Sequence, residues 1–164
     1  VALPAFTDNY IWMLHDDRQA IVVDPGDAAP VLAALDAQGL ALSAILVTHH
    51  HPDHVGGLAG LRHLLEGPVY GPAREAIPTP FTPLTDGDTA SALGLNFQVI
   101  DVPGHTAGHI AYFCRPRVRG RRPCCFVATP CFRADVAASL KARQHRCTSR
   151  WAGWHRAAPP STNA

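Results

Sequence analysis

The run Thr48-His49-His50-His51-Pro52-Asp53-His54 constrains this chain more than any other stretch. It follows the apolar segment Ala44-Ile45-Leu46-Val47 and precedes Gly56-Gly57 and a segment with helical spacing. Strand, ligand-rich loop and helix N-terminus in that order suit a metal, because the strand fixes the loop and the loop lets side chains converge. His49 and His51 share a face if the alternation of the strand continues. Asp53 and His54 follow the turn at Pro52 and can face a second point nearby. Neutral imidazole and carboxylate suit Zn, Fe or Mn. The plain alternative is a solvated polar loop, but four ligand-type side chains between residues 49 and 54 rarely gather without a metal.

The rest of the chain surrounds this loop with short strands. Leu3 to Phe6 and Ile11 to Leu14 read as strands around the turn Thr7-Asp8-Asn9. Gln19 to Val23 is a buried strand that ends in the turn Asp24-Pro25-Gly26-Asp27. Pro30 suits a first helical turn, and Val31, Leu32 and Leu35 carry helical spacing up to Gly39. Val55 to Leu65 predicts an amphipathic helix, Val69-Tyr70 a short strand and Pro72 to Pro83 a Pro-rich loop. Asp86-Gly87-Asp88 is a turn, and Leu93 to Val102 alternates as a strand. Strands outnumber helices, yet helices intervene, so sheets covered by helices in a layered α/β domain are expected.

At 164 residues one domain is the natural expectation, with 47% hydrophobic and 16% charged residues pointing to a soluble globular chain. No apolar run approaches the ~18 residues of a membrane span, and no signal peptide stands at Val1. The five cysteines all fall between Cys114 and Cys147, in no zinc-ribbon spacing; their odd number and the absent signal argue against a disulfide framework, and a reducing cytoplasm is expected. The net charge of +1 hides an asymmetry. Val1 to Cys114 holds 3 basic and 12 acidic residues, whereas Arg115 to Ala164 holds 11 basic and 1 acidic, which marks the last third as different in kind.

A second polar turn, Pro103-Gly104-His105-Thr106-Ala107-Gly108-His109, precedes the strand Ile110 to Phe113. His105 can supply a third imidazole beside His49 and His51. His109 reads as structural, and His50 should point away from its two neighbours. His15, His63, His145 and His155 have no supporting context. Asp24, at a strand end, either orients ligands from behind or caps its turn.

THHHPDHVGG at 48–57 and VPGHTAGHIAYF at 102–113 resemble the metallo-β-lactamase fold. LPAFTDNYIWML at 3–14 and IVVDPGD at 21–27 narrow the resemblance to hydroxyacylglutathione hydrolase (glyoxalase II), over about residues 1 to 114. The resemblance implies an αββα sandwich with a two-metal site on one edge. It assigns His49, His51 and His105 to a first metal, and Asp53 and His54 to a second. It also implies a bridging Asp in a later Gly-Asp-Thr-Leu-Phe segment, a last His in a Gly-His-Glu segment and a C-terminal helical domain that helps to bind glutathione.

This chain departs from that pattern. Cys125 to Phe132 reads Cys-Phe-Val-Ala-Thr-Pro-Cys-Phe, and Asp135 is the only acid after Asp101. Reading the underlying message one base earlier from Pro123 permits Leu-Leu-Phe-Cys-Gly-Asp-Thr-Leu-Phe, which contains the missing motif. A frameshift between Cys114 and Cys124 is therefore expected, with 115–164 an Arg-rich tail of out-of-frame origin and no helical domain. The competing reading, a basic tail for nucleic acid built on Arg143, Arg146, Arg150, Trp151 and Trp154, is the weaker one.

The resemblance implies metal-dependent hydrolysis of a small glutathione thioester to glutathione and a 2-hydroxy acid, D-lactate in the usual case, in methylglyoxal detoxification. No nucleic acid and no membrane are implied. Zinc is the expected metal, with Fe or Mn as alternatives, two in intact relatives and at most one here. Little or no thioesterase activity is expected of these 164 residues, and the fold is expected to be incomplete at its C-terminal end. The rival readings are a non-catalytic remnant, or another hydrolase or a persulfide dioxygenase of the same fold.

Overall fold

A computed structural model describes residues 1–7 and 9–114 and the short strand 124–126. All of them fall in the first of two units, Val1–Cys131. The expected boundary after Cys114, the segment Cys125 to Phe132 and the tail to Ala164 lie, apart from 124–126, outside the described residues.

Two sheets stack on each other. The first has six strands in sequence order: β1 (Ala2–Ala5), β2 (Asn9–His15), β3 (Gln19–Val23), β4 (Ala41–Leu46), β5 (Val69–Pro72) and β6 (Thr82–Leu84). β1 to β3 pair antiparallel, and β3 to β6 pair parallel. The second sheet is antiparallel and runs β10 (Cys124–Phe126), β9 (Ile110–Cys114), β8 (Leu95–Asp101), β7 (Thr89–Ala92).

The parallel pair β3–β4 needs a crossover, and the helix α1 (Ala28–Gln38) provides it. Its boundaries follow from local chemistry. The Asp27 carboxylate accepts a hydrogen bond from the Ala29 amide at 2.9 Å, which caps the N-terminus. Gly39 adopts φ 63°, and the left-handed turn there stops the helix. Val31 and Leu35 face inward with Leu58 and Leu61, and pack on Ile11, Met13, Val22 and Ile45 of the first sheet. The opposite face of that sheet, Ile21, Val23, Ala44 and Leu46, packs on Phe97, Val99, Ile110 and Tyr112 of the second. Period-2 alternation in β3 and β4 thus feeds two separate cores from one sheet. The described residues form helix, sheet and sheet layers, the architecture of the expected sandwich. Among them no helix is long and apolar enough to cross a membrane.

Two local readings are corrected. The helix expected over Val55 to Leu65 is instead α2 (Pro52–Val55), α3 (Leu58–Leu61) and a 3-10 turn at Arg62–Leu64. Gly56-Gly57 interrupts it, because both glycines lie under the backbone of Pro25, Gly26 and Asp27. The single strand expected over Leu93 to Val102 is the second half of a hairpin. Leu93 and Gly94 take φ 52° and 65°, which turns the chain between β7 and β8. The loop expected over Pro72 to Pro83 also contains most of β6.

Candidate metal centre

The metal-ligand loop leaves β4 at its C-terminal end and enters α2 at Pro52. Two bonds fasten its root to the second sheet. The Ile110 amide donates to the Thr48 carbonyl at 3.1 Å, and the Tyr112 hydroxyl donates to the Val47 carbonyl at 3.0 Å. Burial pushes the Tyr112 phenol well above its ordinary pKa, so it remains a donor. The turn Pro25-Gly26-Asp27 supports the loop from the other side. A Cβ at Gly26 would meet the Asp53 carbonyl oxygen at 1.8 Å, so only glycine fits there.

Asp24 is 4% exposed and takes a positive φ of 52°. Its carboxylate accepts from the Thr48 amide at 2.7 Å and from the Thr48 hydroxyl at 2.8 Å. With its only proton committed to Asp24, the Thr48 hydroxyl must accept at 3.1 Å from His49 Nδ1–H. His49 therefore carries its proton on Nδ1 and turns the Nε2 lone pair toward the centre. That Nε2 is buried and has no hydrogen-bond partner among the described residues. Burial, and then the neighbouring imidazoles, push the His49 pKa down to about 2, so the ring stays neutral. A buried neutral imidazole with a free lone pair is a ligand in want of a cation.

His51 and His105 complete the set. One nitrogen from each of His49, His51 and His105 lies within 4.8 Å of the others. His105 Nε2 and His51 Nδ1 are 3.0 Å apart. Three convergent imidazoles with one side open match the donor set of a catalytic metal position. His49 is fully buried, His51 half-buried and His105 exposed, so the open side faces solvent.

Asp53 and His54 lie beside this trio. The His54 ring centroid is 4.3 Å from that of His49, and His54 Nε2 is 3.1 Å from Asp53 Oδ2. His54 Nδ1 approaches Asp24 Oδ2 at 3.5 Å. Burial pushes the His54 pKa down, but the Asp24 and Asp53 carboxylates outweigh it and hold the ring above its ordinary value. The structure thus gathers His49, His51, Asp53, His54 and His105 at one end of the sandwich, with Asp24 behind them.

Asn9 and Glu75 carry no role in the sequence, and His109 reads there as structural. Asn9 Nδ2 donates to Asp53 Oδ2 at 3.2 Å and steadies its carboxylate. His109 is 3% exposed, with its ring centroid 4.7 Å from that of His49. Burial pushes its pKa down to about 4. Glu75 sits between the two histidine segments. Its side chain is 3% exposed and contacts His50 Nδ1. Burial pushes the Glu75 carboxyl up, but hydrogen bonds from Thr106, His50 and the Gly108 amide hold it below its ordinary range. No sequence signal marks Glu75, because it stands alone in a Pro-rich stretch.

Comparison with known proteins agrees with this geometry. The sequence profile of the Metallo-beta-lactamase superfamily matches residues 5–117. The hydroxyacylglutathione hydrolase of Albidiferax ferrireducens is 68% identical over 114 residues, which span 70% of this chain and 45% of that protein. The hydroxyacylglutathione hydrolase of Nitrosomonas eutropha is 57% identical over 111 residues, spanning 66% of this chain and 44% of that protein. The chain thus spans a little under half the length of these curated relatives. Among solved structures, the B3 metallo-beta-lactamase BLEG-1 superposes with a TM-score of 0.60 at 26% identity, covering 70% of this chain and 66% of that one. With two stacked sheets, a histidine loop at the end of β4 and a profile match over most of its length, the chain belongs to the metallo-beta-lactamase superfamily.

Proposed function

We propose that this chain carries the metal-binding half of a glyoxalase II-type thioester hydrolase. The observation behind the proposal is the convergence of three imidazole nitrogens within 4.8 Å, one of them buried and without a partner among the described residues. The names and identities of the relatives supply the substrate class. His49, His51 and His105 would hold one divalent metal, zinc by preference. Asp53 and His54 would contribute to a second. A bound metal supplies Lewis acidity toward a thioester carbonyl and acidifies water.

The chain's own residues define the rest. Asp24, through Thr48, fixes the His49 tautomer. Asn9 and His54 hold the Asp53 carboxylate. Water adds to the thioester carbonyl carbon, the C–S bond breaks, and the glutathione thiolate leaves with a 2-hydroxy acid as the other product. No Ser or Cys is needed as nucleophile. The expected place of action is the cytoplasm.

The bridging Asp of the resemblance is missing from the sequence between Cys125 and Phe132. We therefore assign the 164-residue chain one weakly held metal and little turnover, and assign full activity to the frame that reads Gly-Asp-Thr-Leu-Phe. The test compares the two chains for metal content and for hydrolysis of S-D-lactoylglutathione and of a β-lactam. The expected result is at most one zinc and little turnover for the present chain, and thioester hydrolysis for the restored one. Turnover of the present chain equal to that of the restored one, or β-lactam hydrolysis without thioester hydrolysis, would overturn the proposal.

A further inference from the structure

The three imidazoles come from two segments that are far apart in sequence, and one carboxylate lies between those segments. Glu75 Oε1 accepts from the Thr106 hydroxyl at 2.7 Å and from the Gly108 amide at 2.7 Å. Its other oxygen, Oε2, contacts Nδ1 of His50, between His49 and His51. The backbone of Glu75 is itself held, because its amide donates to the Pro72 carbonyl at 3.3 Å. Two residues on, Ile77 is 5% exposed in the core under the first sheet. A rigid post at the end of β5 thus grips the His105 turn on one side and the His49–His51 loop on the other.

Gly108 shows how close that grip is. A Cβ there would meet Glu75 Oε1 at 2.7 Å and Glu75 Cγ at 2.8 Å. The turn has been pressed onto the carboxylate until only a hydrogen atom fits. His105 gains the most from this contact, because it is the exposed member of the trio and the rings it meets are those of His49, His51 and His109.

The geometry points to Glu75 as a positioning residue: its buried carboxylate sets the spacing between the His49–His51 loop and the His105 turn, and with it the geometry of the three-imidazole set. This rests on the metal-site reading above. Glu75 need not touch the metal. A group that orients ligands through other groups typically changes metal affinity by about 10–100-fold when removed.

The test is cobalt(II) binding to the full chain, read as affinity by chelator competition and as the visible spectrum at saturation. Glu75→Ala should weaken binding at least about tenfold and change the spectrum. Glu75→Gln keeps an acceptor oxygen for Thr106 and Gly108, and should recover most of both. A folded Glu75→Ala variant with unchanged affinity and spectrum overturns the inference. If that variant does not fold, Thr106→Val decides. It removes one bond to Glu75 and should weaken binding about threefold or more; unchanged binding by folded Thr106→Val overturns the inference equally. A wild-type chain that binds no cobalt overturns this inference together with the metal-site reading. Wild-type binding that the variants leave intact overturns the inference alone.

Discussion

The two histidine segments are held in opposite ways. The first, Thr48 to His54, is rooted in the core: it continues a buried strand, and its fixing groups, Asp24 and Thr48, are themselves buried. The second, Gly104 to His109, is a turn whose ligand His105 is exposed and whose Thr106 and Gly108 are bonded to Glu75. In the first segment, what orients the ligand also stabilises the protein. In the second, orientation comes from a few polar contacts to one carboxylate. A site of this kind has one rigid jaw rooted in the core and a second jaw held by a single carboxylate.

The largest effect that tests this contrast belongs to Asp24→Ala. It strands the Thr48 amide and hydroxyl in the core and removes the counter-charge of His54. Urea unfolding should show a loss of roughly 3–5 kcal/mol. A loss below about 1 kcal/mol would mean that the first segment is no better rooted than the second.

Acidification should come next. Folded His49 and His109 resist protonation down to about 2 and about 4, while in the unfolded chain both protonate near 6.5. Where the unfolded state binds more protons, stability falls as pH falls. The metal-free protein should therefore lose stability from pH 6.5 down to about 4, by a few kcal/mol. His54 runs the other way: its raised folded pKa adds stability that is complete below 6.5 and fades as pH rises through the folded value. Thermal melts from pH 6.5 to 4 check the loss, since His54 is protonated in both states there and adds no slope; a protein that keeps its full stability down to pH 4 would show that His49 and His109 do not resist protonation.

The smallest effect belongs to Asn9→Ala. Its bond to Asp53 is exposed, and the change in global stability should stay within about 0.5 kcal/mol. Chemical denaturation measures it, and a cost near that of Asp24→Ala would show that the β1–β2 turn is part of the rigid jaw.

Much of this arrangement is legible in the sequence, for identifiable reasons. The run THHHPDH declares its chemistry because it concentrates ligand types at the end of an apolar strand. The apolar run in Gln19 to Val23 and the capped segment Ala28 to Gly39 mark a strand and its crossover helix. The break in the helix after Val55 is hidden, since it arises from close backbone approach of residues 25 to 27, a tertiary contact. The hairpin at Leu93-Gly94 is hidden because a leucine takes a positive φ that its side chain does not advertise. Asp24 is ambiguous in sequence, since capping a turn and orienting Thr48 use the same carboxylate. Glu75 is invisible for a different reason: its importance comes from where β5 delivers it, between two segments that only the fold brings near.

The bonds from Ile110 to Thr48 and from Tyr112 to Val47 also carry a consequence for the order of assembly. The first sheet builds largely from neighbours in sequence, and its strand β4 carries the loop of His49 and His51. His105 joins them across 54 residues of chain from His51, and only after the second sheet has docked on the first. Closing so long a loop costs entropy before any contact repays it, which places such pairings late in folding. A partly folded chain offers a passing cation two imidazoles, and the finished one offers three. Metal retention would then distinguish completed molecules from intermediates, and by mass action would draw the population toward the finished state.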